Sequence, residues 1–233
     1  LHSGRKFDHD NYIPSGGLHG VGIPVVNALS VEVIARVRRD GKLHEQRYRR
    51  GIPQGDLEVV GEARGSGTEI FFRPDSEIFE SIRFDHERIA EWLEIKAFLN
   101  QGLPLVFRDE QNDAYEELKH DGGIVDFLQH IQRESKEAPV HTDAIHIEDE
   151  EPGHDNVTRI EIALQWTEDT NPDIRSFVNG IPTEDGGTHE QGFKNGVAKA
   201  LRNYIDTHDI GPKKLDIIPE DIREGLKAII NIF

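Results

Sequence analysis

Cysteine and methionine are both missing from the 233 residues. Without cysteine there is no disulfide framework and no thiolate-ligated metal site, and the chain suits a reducing compartment without requiring one. Positive charge is scarce as well: 27 Lys and Arg face 44 Asp and Glu, a net charge of −17, which excludes a nucleic-acid grip made by overall electrostatics. No stretch approaches the roughly 18 consecutive apolar residues of a membrane-spanning helix, and the opening residues do not read as a signal peptide. Hydrophobic residues make up only 36 %, yet eleven Phe, two Trp and many Val, Ile and Leu are enough to build cores. The length exceeds the usual single-domain size, which predicts two domains or one large one. The sequence starts at Leu1-His2-Ser3-Gly4 and stops at Ile232-Phe233 inside an apolar run, so an internal fragment of a larger protein is expected.

Local patterns predict an α+β chain of strand meanders with helices on one face, in two units. Residues 1–22 read as loop. Pro24 to Leu29 reads as a short helix, because proline in a first turn loses no hydrogen bond. Strands follow at Val31–Val37 and Leu43–Tyr48 around Asp40-Gly41, a type I′ hairpin signal, and again at Thr68–Phe72. Asp85 is placed to cap a helix with Ile89, Trp92, Leu93 and Ala97 on its inner face, and Leu103–Arg108 reads as a strand. The polar stretch Asp109–Asp121, ending in Asp121-Gly122-Gly123, predicts a boundary between residues 1–121 and 122–233. Beyond it, Ile124, Phe127, Leu128 and Ile131 have helical spacing, and Glu134–Asn156 reads mostly as acidic surface loop. Strands are expected at Thr158–Trp166, Arg175–Asn179 and Ala228–Phe233. Thr188 is expected to cap a helix bearing Phe193, Val197, Leu201 and Tyr204, and Pro219 to open a helical turn.

The segment that carries chemistry is Ser15-Gly16-Gly17-Leu18-His19-Gly20-Val21-Gly22, which runs straight into a helix. Its glycines permit positive φ and close backbone approach, and the helix that follows offers free N–H groups to an anion. The spacing is neither a Walker A loop nor a dinucleotide fingerprint, so the residues alone read as a structural turn or as a phosphate cradle. Three further features have two readings. Arg36–Arg50, with seven basic residues, reads as a solvated hairpin or as a contact to DNA phosphates. Gly186-Gly187-Thr188-His189 reads as a turn with a cap or as a second anion cradle. His141, His146 and His154 lie among acids in no familiar metal-ligand spacing, and no metal site is assigned.

Taken together, Leu1 to Asp8, Ser15 to Gly22, Val25 to Ser30, Gly67-Thr68, Phe98-Leu99-Asn100, Gly122-Gly123-Ile124, Phe177-Val178-Asn179, Asp185 to His189 and Arg223 to Leu226 resemble, in order, the B subunits of bacterial type II DNA topoisomerases. These are the ATPase subunits of DNA gyrase and topoisomerase IV, in the GHKL superfamily. The resemblance implies the C-terminal part of a GHKL ATPase domain with its ATP lid over 1–121, followed by a ribosomal-protein-S5-like transducer domain over 122–233. It implies ATP and Mg²⁺ as cofactors, with Gly17, Leu18, His19, Gly20, Val21 and Gly22 at the phosphates, Lys6 facing them, Tyr12 at the adenine and Thr68 on the strand flooring the pocket. Read alone, Tyr12 is a loop aromatic and Thr68 a β-former.

The family's catalytic glutamate, Mg²⁺-binding asparagine and adenine-binding aspartate precede the lid, and its γ-phosphate lysine follows the position of Phe233. The segment alone is therefore expected not to hydrolyse ATP. The implied partners are a second B subunit, the A subunit and double-stranded DNA, in a bacterial cytoplasm and without a membrane. Basic residues Arg175, Lys194, Lys199 and Arg202 are placed to face the cavity that receives DNA. Departures from the pattern stand at Arg5, Ile13-Pro14 and Ile23-Pro24, which replace a glycine, a Lys-Val pair and small residues. They suit an alternative reading, a non-catalytic interaction module that docks without ATP turnover.

Overall fold

A computed structural model describes residues 21–152, 157–210 and 217–233. The chain divides into two compact units, one reaching to Asp85 and the other spanning His86–Phe233.

The first unit starts with helix α1 (Gly22–Ala28), with Pro24 in its first turn, followed by strands β1 (Ser30–Arg39), β2 (Lys42–Arg49), β3 (Ile52–Pro53), β4 (Glu58–Glu62) and β5 (Gly67–Pro74). All pairing is antiparallel, in the order β3-β2-β1-β5, with β4 also against β2. Asp40 and Gly41 both take positive φ (53° and 75°), the geometry a two-residue I′ turn needs, and Arg39 pairs with Lys42 across it. Alternation then sorts the side chains. Val33, Tyr48, Ile70, Phe72 and Thr68 fall on one face. Arg36, Glu45, Arg47 and Glu69 fall on the other.

The second unit contains α2 (His86–Leu99), the hairpin β6 (Leu105–Asp109) and β7 (Ala114–Leu118), α3 (Ile124–Ser135), β8 (Ile145–Pro152), β9 (Val157–Trp166), β10 (Asp173–Val178), β11 (Ile181–Pro182), α4 (Thr188–His208), α5 (Pro219–Arg223) and β12 (Leu226–Ile232). Its sheet runs β11-β10-β12-β9-β8, with β10 and β12 parallel and the other pairs antiparallel. Helices cover both faces. Ile124, Phe127, Leu128 and Ile131 of α3, with Phe98 and Leu99 of α2, pack on Ala163, Phe177 and Ile229. Phe193 of α4 packs on Leu164, Leu226, Ala228 and Ile230 on the opposite face. The central strand β12 is therefore buried along nearly its whole length, which explains its continuous apolar run. Burial of each large α3 side chain contributes about 1.5–3 kcal/mol.

Several expectations change. Helix α2 buries Ala97, Phe98 and Leu99 while Trp92 stays exposed, and Tyr204 of α4 is exposed, its ring tilted against that of His208 with centroids 4.1 Å apart. The polar stretch Asp109–Asp121 contains a strand, β7 (Ala114–Leu118), that the sequence did not show. The acidic run Glu148-Asp149-Glu150-Glu151 is in β8 and not in a loop, because β9 pairs with it residue by residue from Ile145 to Pro152. Thr188 is the first helical residue of α4 rather than its cap; Gly187 holds the cap position with no side-chain cap bond.

Candidate functional site

Six of the nine residues assigned to nucleotide, Lys6, Tyr12, Gly17, Leu18, His19 and Gly20, lie outside the described residues, and Val21, Gly22 and Thr68 lie within them. Val21 sits at the cap position of α1, exposed, and its carbonyl accepts the Val25 N–H at 2.9 Å. A Cβ added to Gly22 would meet nothing within 4 Å. Thr68 is exposed on β5 opposite Val37. It shares its sheet face with Phe72, and Phe72 lines a cleft of ≈ 230 Å³ together with Val25, Val26 and Leu29 of α1. The helix after the glycine-rich segment thus lies on the sheet face that carries Thr68.

A charged knot at the base of α1 fixes this arrangement. Asp75, 2 % exposed, accepts the Glu77 N–H at 3.0 Å and pairs with Arg50 at 2.7 Å, and Arg50 also reaches Glu77 at 2.8 Å. The Asp75 N–H donates to the Leu29 carbonyl at 3.0 Å, the Arg50 N–H to the Ser30 carbonyl at 3.0 Å, and Ser30 Oγ to the Val26 carbonyl at 2.6 Å. The Glu77 N–H and then the Arg50 guanidinium hold the Asp75 carboxyl below the usual carboxylate range. The carboxylate ties the segment after β5 to Arg50 after β2, and the main-chain N–H groups of Asp75 and Arg50 tie both to the junction of α1 and β1. No sequence motif marked it, since Asp75 and Arg50 are 25 residues apart.

The basic stretch Arg36–Arg50 is partly neutralised: Arg36, Arg39, Arg47 and Arg50 have acidic partners, while Arg38, Lys42 and Arg49 have no ion pair among the described residues. Arg36 pairs with Glu45 at 2.7 Å and Glu69 at 2.8 Å, and Arg47 also reaches Glu45 at 2.8 Å. Bonds from Arg36 and then Arg47 keep the Glu45 carboxyl low and ionised. In the second unit, Arg175 lies on the β10 face with Phe127 and Ile229, whereas Lys194 and Arg202 ride on α4 across the sheet. Arg175 pairs with Asp173, Lys194 with Glu190, and Arg202 donates to the Ile217 carbonyl, so these side chains do not converge on one surface.

The Gly186–His189 segment does not form an anion cradle. Glu190 closes on it: a Cβ at Gly186 would stand 3.2 Å from its carboxylate. That carboxylate belongs to a chain of polar contacts in which Ser176 Oγ reaches Thr183 Oγ1 at 2.6 Å and Glu190 at 3.1 Å, while Thr183 Oγ1 meets His189 Nε2 at 3.2 Å. Of the three histidines weighed as metal ligands, His154 is outside the described residues. His146 sits 3.2 Å from Glu161, and His141 Nε2 accepts the Trp166 N–H, which puts its proton on Nδ1 toward the Asp143 carbonyl.

The sequence profile of the DNA gyrase B family matches residues 123–233. The DNA gyrase B subunit of Halalkalibacterium halodurans is 41 % identical over 235 residues, covering all of this chain and 36 % of that protein; its Thermotoga maritima counterpart is 43 % identical, covering all of this chain and 37 % of its own length. The chain is thus similar over its whole length to B subunits of DNA gyrase. Among solved structures, the 43K ATPase domain of Thermus thermophilus gyrase B, bound to an aminocoumarin, superposes with a TM-score of 0.80 at 34 % identity, over 92 % of this chain and 58 % of that one. The topoisomerase IV ATP-binding domain of Francisella tularensis, bound to a small-molecule inhibitor, gives 0.74 at 27 % identity, over 94 % and 59 %. The mixed α+β architecture is that of the GHKL ATPase region of these B subunits. The chain spans between about a third and just over half the length of the relatives it matches.

Proposed function

We propose that this chain is the lid-bearing part of the ATPase region, with the transducer, of a bacterial type II topoisomerase B subunit, in which ATP binding drives passage of one duplex through another. The observation that carries this is the glycine-rich segment Ser15–Gly22 leading into α1, within a chain related over its full length to gyrase B subunits. Residues 1–121 are assigned to the ATPase domain and 122–233 to the transducer, an assignment supported by the family profile over 123–233.

Gly17 to Gly22 would hold the phosphates of ATP with backbone N–H groups, Lys6 would neutralise them, Tyr12 would cover the adenine and Thr68 would line the pocket floor. When bound, Mg²⁺-ATP supplies the phosphoanhydride whose cleavage resets the subunit. This chain's own residues bind and enclose it; no general base for water is assigned to them. The parent's partners are a second B subunit, the A subunit and duplex DNA, in the bacterial cytoplasm.

A titration of a fluorescent non-hydrolysable ATP analogue into the 233-residue chain tests the lid. Saturable binding that falls about tenfold or more in Lys6→Ala and Gly20→Val is expected. Equal binding by both variants rejects the assignment. Steady-state ATP hydrolysis by this chain is expected to be absent, and a rate that survives stringent purification overturns that. The Ile13-Pro14 departure, which removes a positive charge from the lid, favours a second reading as a docking module without turnover. Failure of the analogue to dimerise the complete parent protein would select it.

A further inference from the structure

The second unit has a cleft of ≈ 560 Å³ whose walls come from α2, β10 and the segment joining β11 to α4. Three properties of it point to one kind of occupant. The first is an open strand edge. β10 has β12 on one side, but β11 covers it on the other only at Phe177 and Val178. The Thr183 N–H donates to the Ser176 carbonyl at 2.9 Å, so the main-chain groups of Ser176 face this outer edge. By alternation those of Ile174 face it too, and no described strand lies beside them.

The second property is aromatic. Trp92, 56 % exposed, stands on the α2 wall, and Ile95, Phe127 and Pro182 continue the apolar surface. The third is charge. Arg175 is paired with Asp173, and Glu190 with Lys194. Glu91, Glu184 and Asp185 line the cleft with no ion pair among the described residues, against Arg88 alone. Lys96 donates its ammonium to the Gly180 carbonyl, lies 5.8 Å from the Trp92 ring centroid, and is not in the lining, so an incoming cation would take the remaining surface of the indole.

We infer that this cleft docks an extended basic peptide segment of a partner chain, which adds to the β10 edge at Ile174 and lays an arginine or lysine side chain between Trp92 and the carboxylates of Glu91, Glu184 and Asp185. Strand addition supplies main-chain bonds, and alternate side chains enter the cleft. A cation over an indole face with carboxylates beside it is favourable in both respects. The inference is independent of the nucleotide reading, because it uses no residue of the lid.

The test is a titration of the full 233-residue chain with the blocked peptide acetyl-Val-Arg-Val-Arg-Val-amide, followed by tryptophan fluorescence and by calorimetry. Saturable binding with a fluorescence change that disappears in Trp92→Phe is expected. Affinity should drop at least about tenfold in Glu184→Gln/Asp185→Asn and weaken with added salt. The same drop is expected, on unaltered protein, for a peptide with glutamates in place of arginines and for one N-methylated at its central valine. Absence of saturable binding overturns the proposal. So does equal binding of the acidic or N-methylated peptide, or binding of arginine amide alone as tight as that of the whole peptide.

Discussion

A single methyl group at Gly225 would meet backbone on two sides. A Cβ there would lie 2.3 Å from the Thr167 carbonyl oxygen and 2.8 Å from that of Asp169, and the residue has φ +71°. Thr167 is held against Gly225, since its N–H and hydroxyl both donate to the Gly225 carbonyl, at 2.8 and 3.2 Å. Gly225→Ala is therefore expected to lose well over about 1 kcal/mol in urea unfolding, the clash adding to the cost of positive φ. The same corner carries a charge linkage. Lys227, 4 % exposed, donates to Asp169 at 2.6 Å and holds that carboxyl below its ordinary value. A carboxyl whose pKa is lower folded than unfolded adds stability above the unfolded value, about 3.9, and loses it as the pH falls through the folded one. The urea midpoint should thus drop below about pH 4, and Asp169→Asn should be less stable at neutral pH with a flatter acid limb. Identical acid limbs in the two proteins would remove Asp169 from the account.

At the scale of elements, α3 is the most exposed to test. Leu128 is wholly buried within the cluster that joins α2, α3 and the sheet, so Leu128→Ala should cost about 2–5 kcal/mol in the same unfolding assay, depending on how far the cavity collapses. An unchanged midpoint would mean that α3 is not docked as described. This helix was legible from sequence because one face meets one core, and all four apolar residues at helical spacing are buried. The hairpin at Asp40-Gly41 was legible because two consecutive positive-φ residues permit few alternatives. Legibility ended where structure comes from a partner strand rather than from local pattern. β8 carries four consecutive acids and is a strand only because β9 pairs with it. β7, β3 and β11 are too short or too polar to show a period of two. Trp92 misled for a related reason: hydrophobicity predicted burial, whereas it forms a wall of an open cleft.

Over the whole molecule, the likeness to gyrase B subunits was written in the glycine-rich segment and in a series of short motifs, while the groups that fix the site were not. The Arg50–Asp75–Glu77 knot and the Ser176–Thr183–His189–Glu190 contacts join residues distant in sequence by side chains common in any polar loop. Charge was legible in total but not in arrangement: Arg36 looks cationic in a one-dimensional reading but is paired across strands with Glu45 and Glu69, and Arg47 pairs with Glu45 on its own strand. That arrangement decides how the chain should meet DNA. Neutralising duplex phosphates releases counterions only where unpaired cations face them, and binding then weakens steeply with salt. With a net charge of −17 and Arg36, Arg39, Arg47 and Arg50 paired with carboxylates, only Arg38, Lys42 and Arg49 of the basic stretch are left without an ion pair among the described residues. The chain should therefore fail to retard duplex DNA at about 0.15 M salt, where the Debye length is about 8 Å and steering by scattered arginines is screened. Glu45→Gln/Glu69→Gln, by freeing Arg36 and Arg47, should give weak retardation at low salt that vanishes as salt is raised. Retardation by the unmodified chain, with a steep salt slope, would mean that the basic hairpin itself contacts phosphates and that its ion pairs open on DNA.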